Sequence, residues 1–278
     1  MRILIATGGA PHSHIAVRLG GRIAAATNSP LPTLLTVIRH ESDRAEGETI
    51  LAQAQALLAA SDAALTEAGE PSVLLRQGAP AEEIIRAASE GAYDLLVMGE
   101  KPEHGFVKRL LGPTSTRVIA QLPCPVLIAR RDTPALRRFL LCEGWRDPLL
   151  LRRLIHPLAP LMQLAQEMTL LHVMSQMVAA PGVPGWELRA EAAELMERHT
   201  REGKLLQQDL AALQGVIPHI QPRVRHGLVV DEIVAEADEG DYDLVVIGAH
   251  QGEGWARLLL DDITSQIMSQ TDRSVLVV

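Results

Sequence analysis

The residues best placed to do chemistry lie between positions 93 and 116, YDLLVMGEKPEHGFVKRLLGPTST. Leu95 to Met98 read as a buried strand that stops at Gly99. A twelve-residue loop follows, and then Gly112 at the mouth of a short helix carrying Thr114 and Ser115. Glycine lets a ligand approach the backbone closely, and a helix start offers unpaired N–H groups and the positive end of a dipole. That chemistry suits a phosphate. Thr7-Gly8-Gly9, a tight turn leaving the first strand, offers a second small and polar corner.

The same phrase returns from position 242, YDLVVIGAHQGEGWARLLLDDITS, with Asp261 and Asp262 where Gly112 and Pro113 stand in the first copy. A like-charge contact at about 4 Å costs on the order of 4 kcal/mol at an effective dielectric near 20. Two carboxylates there disfavour a triphosphate without a metal. Adjacent acids at a helix start serve as metal ligands or, more commonly, as caps that accept backbone N–H bonds. His12 and His14 also resemble a ligand pair, but two residues apart at a helix start they point in different directions. No G-x-S-x-G, H-E-x-x-H or Cys-x-x-Cys occurs, so hydrolase and redox readings lack a nucleophile or metal site of the required spacing. No catalytic residue is expected, and no metal site.

The elements that must position these residues alternate. Expected strands at 2–6, 33–38, 73–76, 95–98 and 126–129 are separated by helical patterns at 12–28, 46–68, from Pro80 to Gly91, and 114–121. This order implies βαβ units, a parallel sheet and right-handed crossovers. Tyr93/Tyr242, Gly78/Gly227, Gly99/Gly248 and Val126/Val275 are each 149 residues apart, so a whole domain is repeated. The extra residues of the second copy fall around PGVPG at 181–185, ahead of a long helix expected over 187–213. Pro157 and Pro160 should break or kink the first helix of that copy.

With 278 residues and 47% hydrophobic content the chain can bury two ordinary cores. A net charge of −8 argues against nucleic acid. Up to Pro134 there are 13 Lys and Arg against 14 Asp and Glu, and beyond it 13 against 20, so an anionic ligand would prefer the first half. No run reaches membrane-span length, the chain start reads as a strand and not as a signal peptide, and two cysteines make no disulfide framework. A soluble cytoplasmic protein is expected. Cys124, between two prolines, is expected as a small buried residue.

Several motifs, in order and spacing, resemble the universal stress protein family in its tandem two-domain form. They are ILIATGG, TLLTVIR with TLLHVM, GAPAEEII, YDLLVMG and PCPVLIA. The resemblance implies an α/β fold of two tandem doubly wound domains, over 1–132 and 136–278. Each would hold a five-stranded parallel sheet that is Rossmann-like and adenine-nucleotide alpha-hydrolase-like. It further implies ATP or AMP, with or without magnesium, in the first domain only. Adenine would lie between Thr7, Gly8, Gly9 and Val37, and phosphates over the segment from Met98, Gly99 and Lys101 to Gly112, Thr114 and Ser115.

The family pattern is altered in both copies. Gly8 replaces the strand-one Asp, Pro102 the middle glycine, and Pro113 the residue after the last glycine, with Lys101, His104 and Lys108 nearby. In the second copy Glu143 takes the strand-one Asp position and Gln251 that of the middle glycine, so its site is expected to be degenerate. Two readings follow: a regulatory stress-response module that binds adenine nucleotide, with slow ATP hydrolysis at most, or a nucleotide-free scaffold recruiting a protein partner. Edge strands must be covered, by intrachain pseudo-dimer packing or by a homodimer.

Overall fold

A computed structural model describes residues 1–100, 112–143, 155–175, 185–217, 219–248 and 255–278. The chain divides into two units, residues 1–135 with 272–278, and residues 136–271. In the first unit the order is β1 (Ile3–Ala6), α1 (Pro11–Ala26), β2 (Thr33–Ile38), α2 (Arg44–Ala59), α3 (Ala63–Glu67), β3 (Val73–Gln77), α4 (Pro80–Glu90), β4 (Leu95–Gly99), α5 (Pro113–Gln121) and β5 (Val126–Ala129). The second unit contains β6 (Arg138–Glu143), α6 (Ala159–Met162), β7 (Glu167–Met174), α7 (Ala192–Glu197), α8 (Arg201–Leu213), β8 (Ile220–His226), α9 (Val229–Glu239), β9 (Leu244–Ile247) and α10 (Trp255–Gln270). A last strand, β10 (Ser274–Val277), closes the chain.

The first sheet runs β3-β2-β1-β4-β5 with every pair parallel. Its strands β1, β4 and β5 are short apolar runs, buried on both faces as strands between two helical layers must be. β10 is added antiparallel to the outer side of β5, with Val275 opposite Ile128 and Val277 opposite Val126. Among the described residues the first unit therefore carries six strands where five were expected. Those of the second unit form four, in the order β9-β6-β7-β8 and all parallel. β10 satisfies the backbone groups that β5 would otherwise leave open at an edge.

Two long helices of the sequence reading are interrupted. The run 46–68 breaks between α2 and α3, where Ser61 donates to the Leu58 carbonyl and Asp62 accepts the Ala64 N–H at 2.9 Å. These side chains offer the backbone a competing partner and restart the helix. The run 187–213 breaks the same way. His199 adopts φ 52°, Thr200 accepts the Gly203 N–H at 3.0 Å, and a Cβ on Gly203 would lie 2.1 Å from the Leu195 carbonyl oxygen. Around Pro157 and Pro160 the chain turns from a 3-10 turn (His156–Leu158) into α6, the break expected of those prolines. Among the described residues no helix is long and apolar enough to cross a membrane.

Candidate functional site

In the first sheet the chain leaves β1 toward β2 on one side and later returns to β4 on the other, so strand order reverses between β1 and β4. A crevice opens beyond the carboxyl ends of strands at such a reversal. Here it holds a cavity of about 390 Å³, a size that suits a small organic ligand.

Eight of the ten expected site residues line it. Thr7 and Gly8 come from the turn after β1, Val37 from β2, Met98 and Gly99 from the end of β4, and Gly112, Thr114 and Ser115 from the start of α5. Gly9 does not. It makes the turn itself at φ 74°, and a Cβ there would meet the Ile50 side chain at 2.8 Å, away from the cavity. Lys101, Pro102, His104, Lys108 and Gln251 lie outside the described residues, as do the side chains of Glu143, Asp261 and Asp262.

The lining glycines are glycine for different reasons. A Cβ on Gly99 would sit 2.0 Å from the His12 carbonyl oxygen, so the start of α1 presses directly on the end of β4. Gly99 is required by packing. Gly8 and Gly112 have nothing within 4 Å of a Cβ and no left-handed backbone, so neither packing nor turn geometry requires them. What their missing side chains leave is room.

The polar groups of the cavity sit at two ends. At one end Thr7 Oγ1 and Ser13 Oγ are 3.2 Å apart, and Ser13 donates to the Ala10 carbonyl at 2.7 Å. Between the ends the wall is apolar, with Leu35 and Val37 of β2, Met98 of β4 and Ile84 of α4. At the other end α5 begins with Pro113 in its first turn and has no side-chain cap from Gly112. Such a start leaves backbone donors for an anion or a hydroxyl.

The sequence reading missed one group at this end. Glu100 follows the last residue of β4 and is buried, with its side chain only 8% exposed. Its Oε1 accepts the Gly112 N–H at 3.1 Å, and its Oε2 lies 2.6 Å from Arg130 Nη2. The pairing follows from sheet register. Gly99 stands opposite Ala129 in parallel strands, so the residues that follow, Glu100 and Arg130, emerge side by side. Ser13, which no motif marked, and His12, weighed above only as half of a histidine pair, line the cavity because α1 starts there; His14 is not among the lining residues.

Among the described residues no three His, Cys, Asp or Glu side chains gather in a metal-holding cluster. Cys124 is half-buried, where a buried residue was expected, and burial pushes its thiol up to about 12. Cys142 is buried and its thiol is also pushed up by burial. A reactive thiol needs the opposite shift.

Comparison with known proteins places these features. The model of the Universal stress protein family matches residues 1–130 and again residues 151–278. The chain is 31% identical to Universal stress protein YxiE of Bacillus subtilis over 110 residues, which cover 40% of this chain and 74% of that protein. It is 43% identical over 67 residues to the Thermus aquaticus universal stress protein in the QAH/OAS sulfhydrylase 3' region, covering 24% of this chain and about half (49%) of that relative. Among solved structures, a universal stress protein from Archaeoglobus fulgidus superposes with TM-score 0.67 at 18% identity, covering 99% of this chain and 97% of that one. A Pseudomonas aeruginosa protein of unknown function, PA1789, gives TM-score 0.68 at 21% identity, covering 100% and 92%.

Proposed function

The chain belongs to the universal stress protein family, with one family domain in each half, and we propose that its first unit is a regulatory binding module for an adenine nucleotide or a related adenosine ligand. The observation that carries this reading is convergence. Residues chosen from loop and strand motifs as far apart as Thr7, Val37, Met98 and Ser115 meet around one cavity with an apolar middle and polar ends. A flat base fits between the Thr7-Gly8 turn and the Val37 and Met98 side chains. A ribose or a more polar group then faces Gly112, Thr114 and Ser115.

The same reading assigns the protein no conventional catalytic role and slow ATP hydrolysis at most. We place the protein in the cytoplasm, in keeping with two free cysteines. Self-association as a homodimer belongs to the same proposal, and recruitment of a partner protein by a nucleotide-free scaffold is the alternative to it.

The test is the melting temperature with adenosine, AMP, ADP and ATP, with and without magnesium, on the wild type and on Gly8→Leu, which fills the cavity. A ligand at a hundred times its dissociation constant stabilises by about 2.7 kcal/mol. An upward shift that disappears in Gly8→Leu is expected. Unchanged melting with all four compounds would dismiss the ligand and favour the nucleotide-free scaffold.

A further inference from the structure

Glu100 occupies the place in the cavity where an anionic ligand group would be received. The start of α5 supplies a backbone donor, the Gly112 N–H, and the end of β5 supplies a guanidinium, Arg130. Helix start and arginine together are the arrangement that receives a phosphate. Here both already hold a carboxylate of the chain itself. Glu100 and Arg130 side chains are each 8% exposed, and Arg130 meets Glu100 through Nε at 3.2 Å as well as through Nη2. The Arg130 backbone is held too, its N–H donating to Ser274 Oγ of β10 at 3.3 Å. Among the described lining residues Glu100 is the one carboxylate, and none is Lys or Arg.

We infer that Glu100 determines the specificity of the cavity, standing in for a phosphate so that the site selects uncharged, nucleoside-type ligands over nucleoside di- and triphosphates. This rests on the adenine reading above for the identity of the base, but the electrostatic part does not need it. A polyphosphate arriving at Gly112 meets a carboxylate that is fixed at both oxygens. It finds the neighbouring guanidinium already engaged, and a like-charge approach to the Glu100 carboxylate costs more in a buried setting than in water. An uncharged ribose meets no such penalty, and the carboxylate remains available to accept from a ribose hydroxyl.

The experiment is calorimetric titration of wild type, Glu100→Gln and Glu100→Asp with adenosine, ATP and inorganic tripolyphosphate. Glutamine keeps the shape and the acceptor for the Gly112 N–H while removing the charge and releasing Arg130. In the wild type, adenosine is expected to bind at least about tenfold more tightly than ATP. In Glu100→Gln the gap closes or reverses, and tripolyphosphate binds at least about tenfold more tightly than to the wild type. Glu100→Asp keeps the wild-type order.

Wild-type protein that binds ATP as tightly as adenosine overturns the inference, and this arm needs no variant to fold. So does a Glu100→Gln protein, native by circular dichroism, whose affinity for tripolyphosphate is unchanged. If no adenine compound binds either protein while tripolyphosphate binds Glu100→Gln alone, the adenine reading fails and the role of Glu100 stands.

Discussion

The two units solve one packing problem with different chemistry. In both, an arginine on the third strand of the unit faces glutamates on the helix that follows: Arg76 with Glu83 and Glu90 in the first, Arg225 with Glu232 and Glu239 in the second. These residues correspond at the 149-residue spacing of the repeat. The second unit adds a fully buried acid. Glu236 stands where the first unit has the buried Ala87, and Arg223 where the first unit has Leu74. Glu236 accepts from Arg223 at 2.9 Å, Arg225 at 2.6 Å and the Tyr242 hydroxyl at 2.8 Å. A buried carboxylate is tolerable only when so fully bonded. One unit fills the layer with a methyl group, Ala87, and the other with an ion network around Glu236.

The first unit spends its buried ion pair elsewhere, on Glu100 and Arg130 at the cavity. Burial of charge there shapes a site, while burial of charge at Glu236 holds a helix to a sheet.

The largest effect expected from breaking this comparison is at Gly99. Gly99→Ala drives a Cβ into the His12 carbonyl and should lower stability by about 3 kcal/mol or more in urea unfolding. Gly112→Ala, with open space at its Cβ, should lose less than about 1 kcal/mol. Equal losses at the two glycines would refute the distinction between packing and ligand room.

Next in size is Glu236→Ala, which leaves Arg225 short of a partner and opens a hole; a loss of about 2–3 kcal/mol is expected. Adding Arg223→Leu recreates the first-unit arrangement and should recover about 1 kcal/mol of it. A double variant no more stable than the single one would show that the two positions are not coupled.

The smallest effect is on the acid limb of stability. Burial alone would raise the Glu236 carboxyl, but the bonds from Arg225, Tyr242 and Arg223 outweigh it and hold the group below its usual range. A lowered folded-state pKa contributes stability above the ordinary carboxylate range, and this is lost as pH falls through the folded value. Glu236→Gln should therefore flatten the fall in stability below about pH 4.5. In the first unit Asp132, which burial would raise but Arg22 and Arg18 hold low, has the same sign. Being 40% exposed, Asp132 has the lesser share, so Asp132→Asn should change the limb by under about 1 kcal/mol. An acid limb steeper in either variant than in the wild type would reverse the sign.

Much of the frame was legible because local pattern decides it. β2 and β5 fall where apolar β-rich runs bounded by turn residues put them, at Thr33–Ile38 and Val126–Ala129. α4 starts on Pro80 and meets its cap at Gly91. The 149-residue repeat was equally plain from pairs such as Tyr93/Tyr242 and Gly78/Gly227, and the structure sets Gly91 and Gly240 against the rings of Tyr93 and Tyr242 in the same way in both units. The breaks at Ser61-Asp62 and at His199-Thr200 were not visible in the apolar spacing. Helical periodicity continues across both, and what stops the helix is a side chain bonding the backbone.

What the sequence determined alone is the alternation of strand and helix, the duplication, and the set of small and polar residues at the strand ends, because these depend on neighbours within a few positions. Tertiary structure decided which glycine is bare for packing and which for space, since that depends on what lies across the gap. It also decided that β10 closes the side of β5, and that Glu100 meets Arg130. Those residues are 30 apart in the chain and become neighbours only when β4 and β5 pair in the register that sets Gly99 beside Ala129.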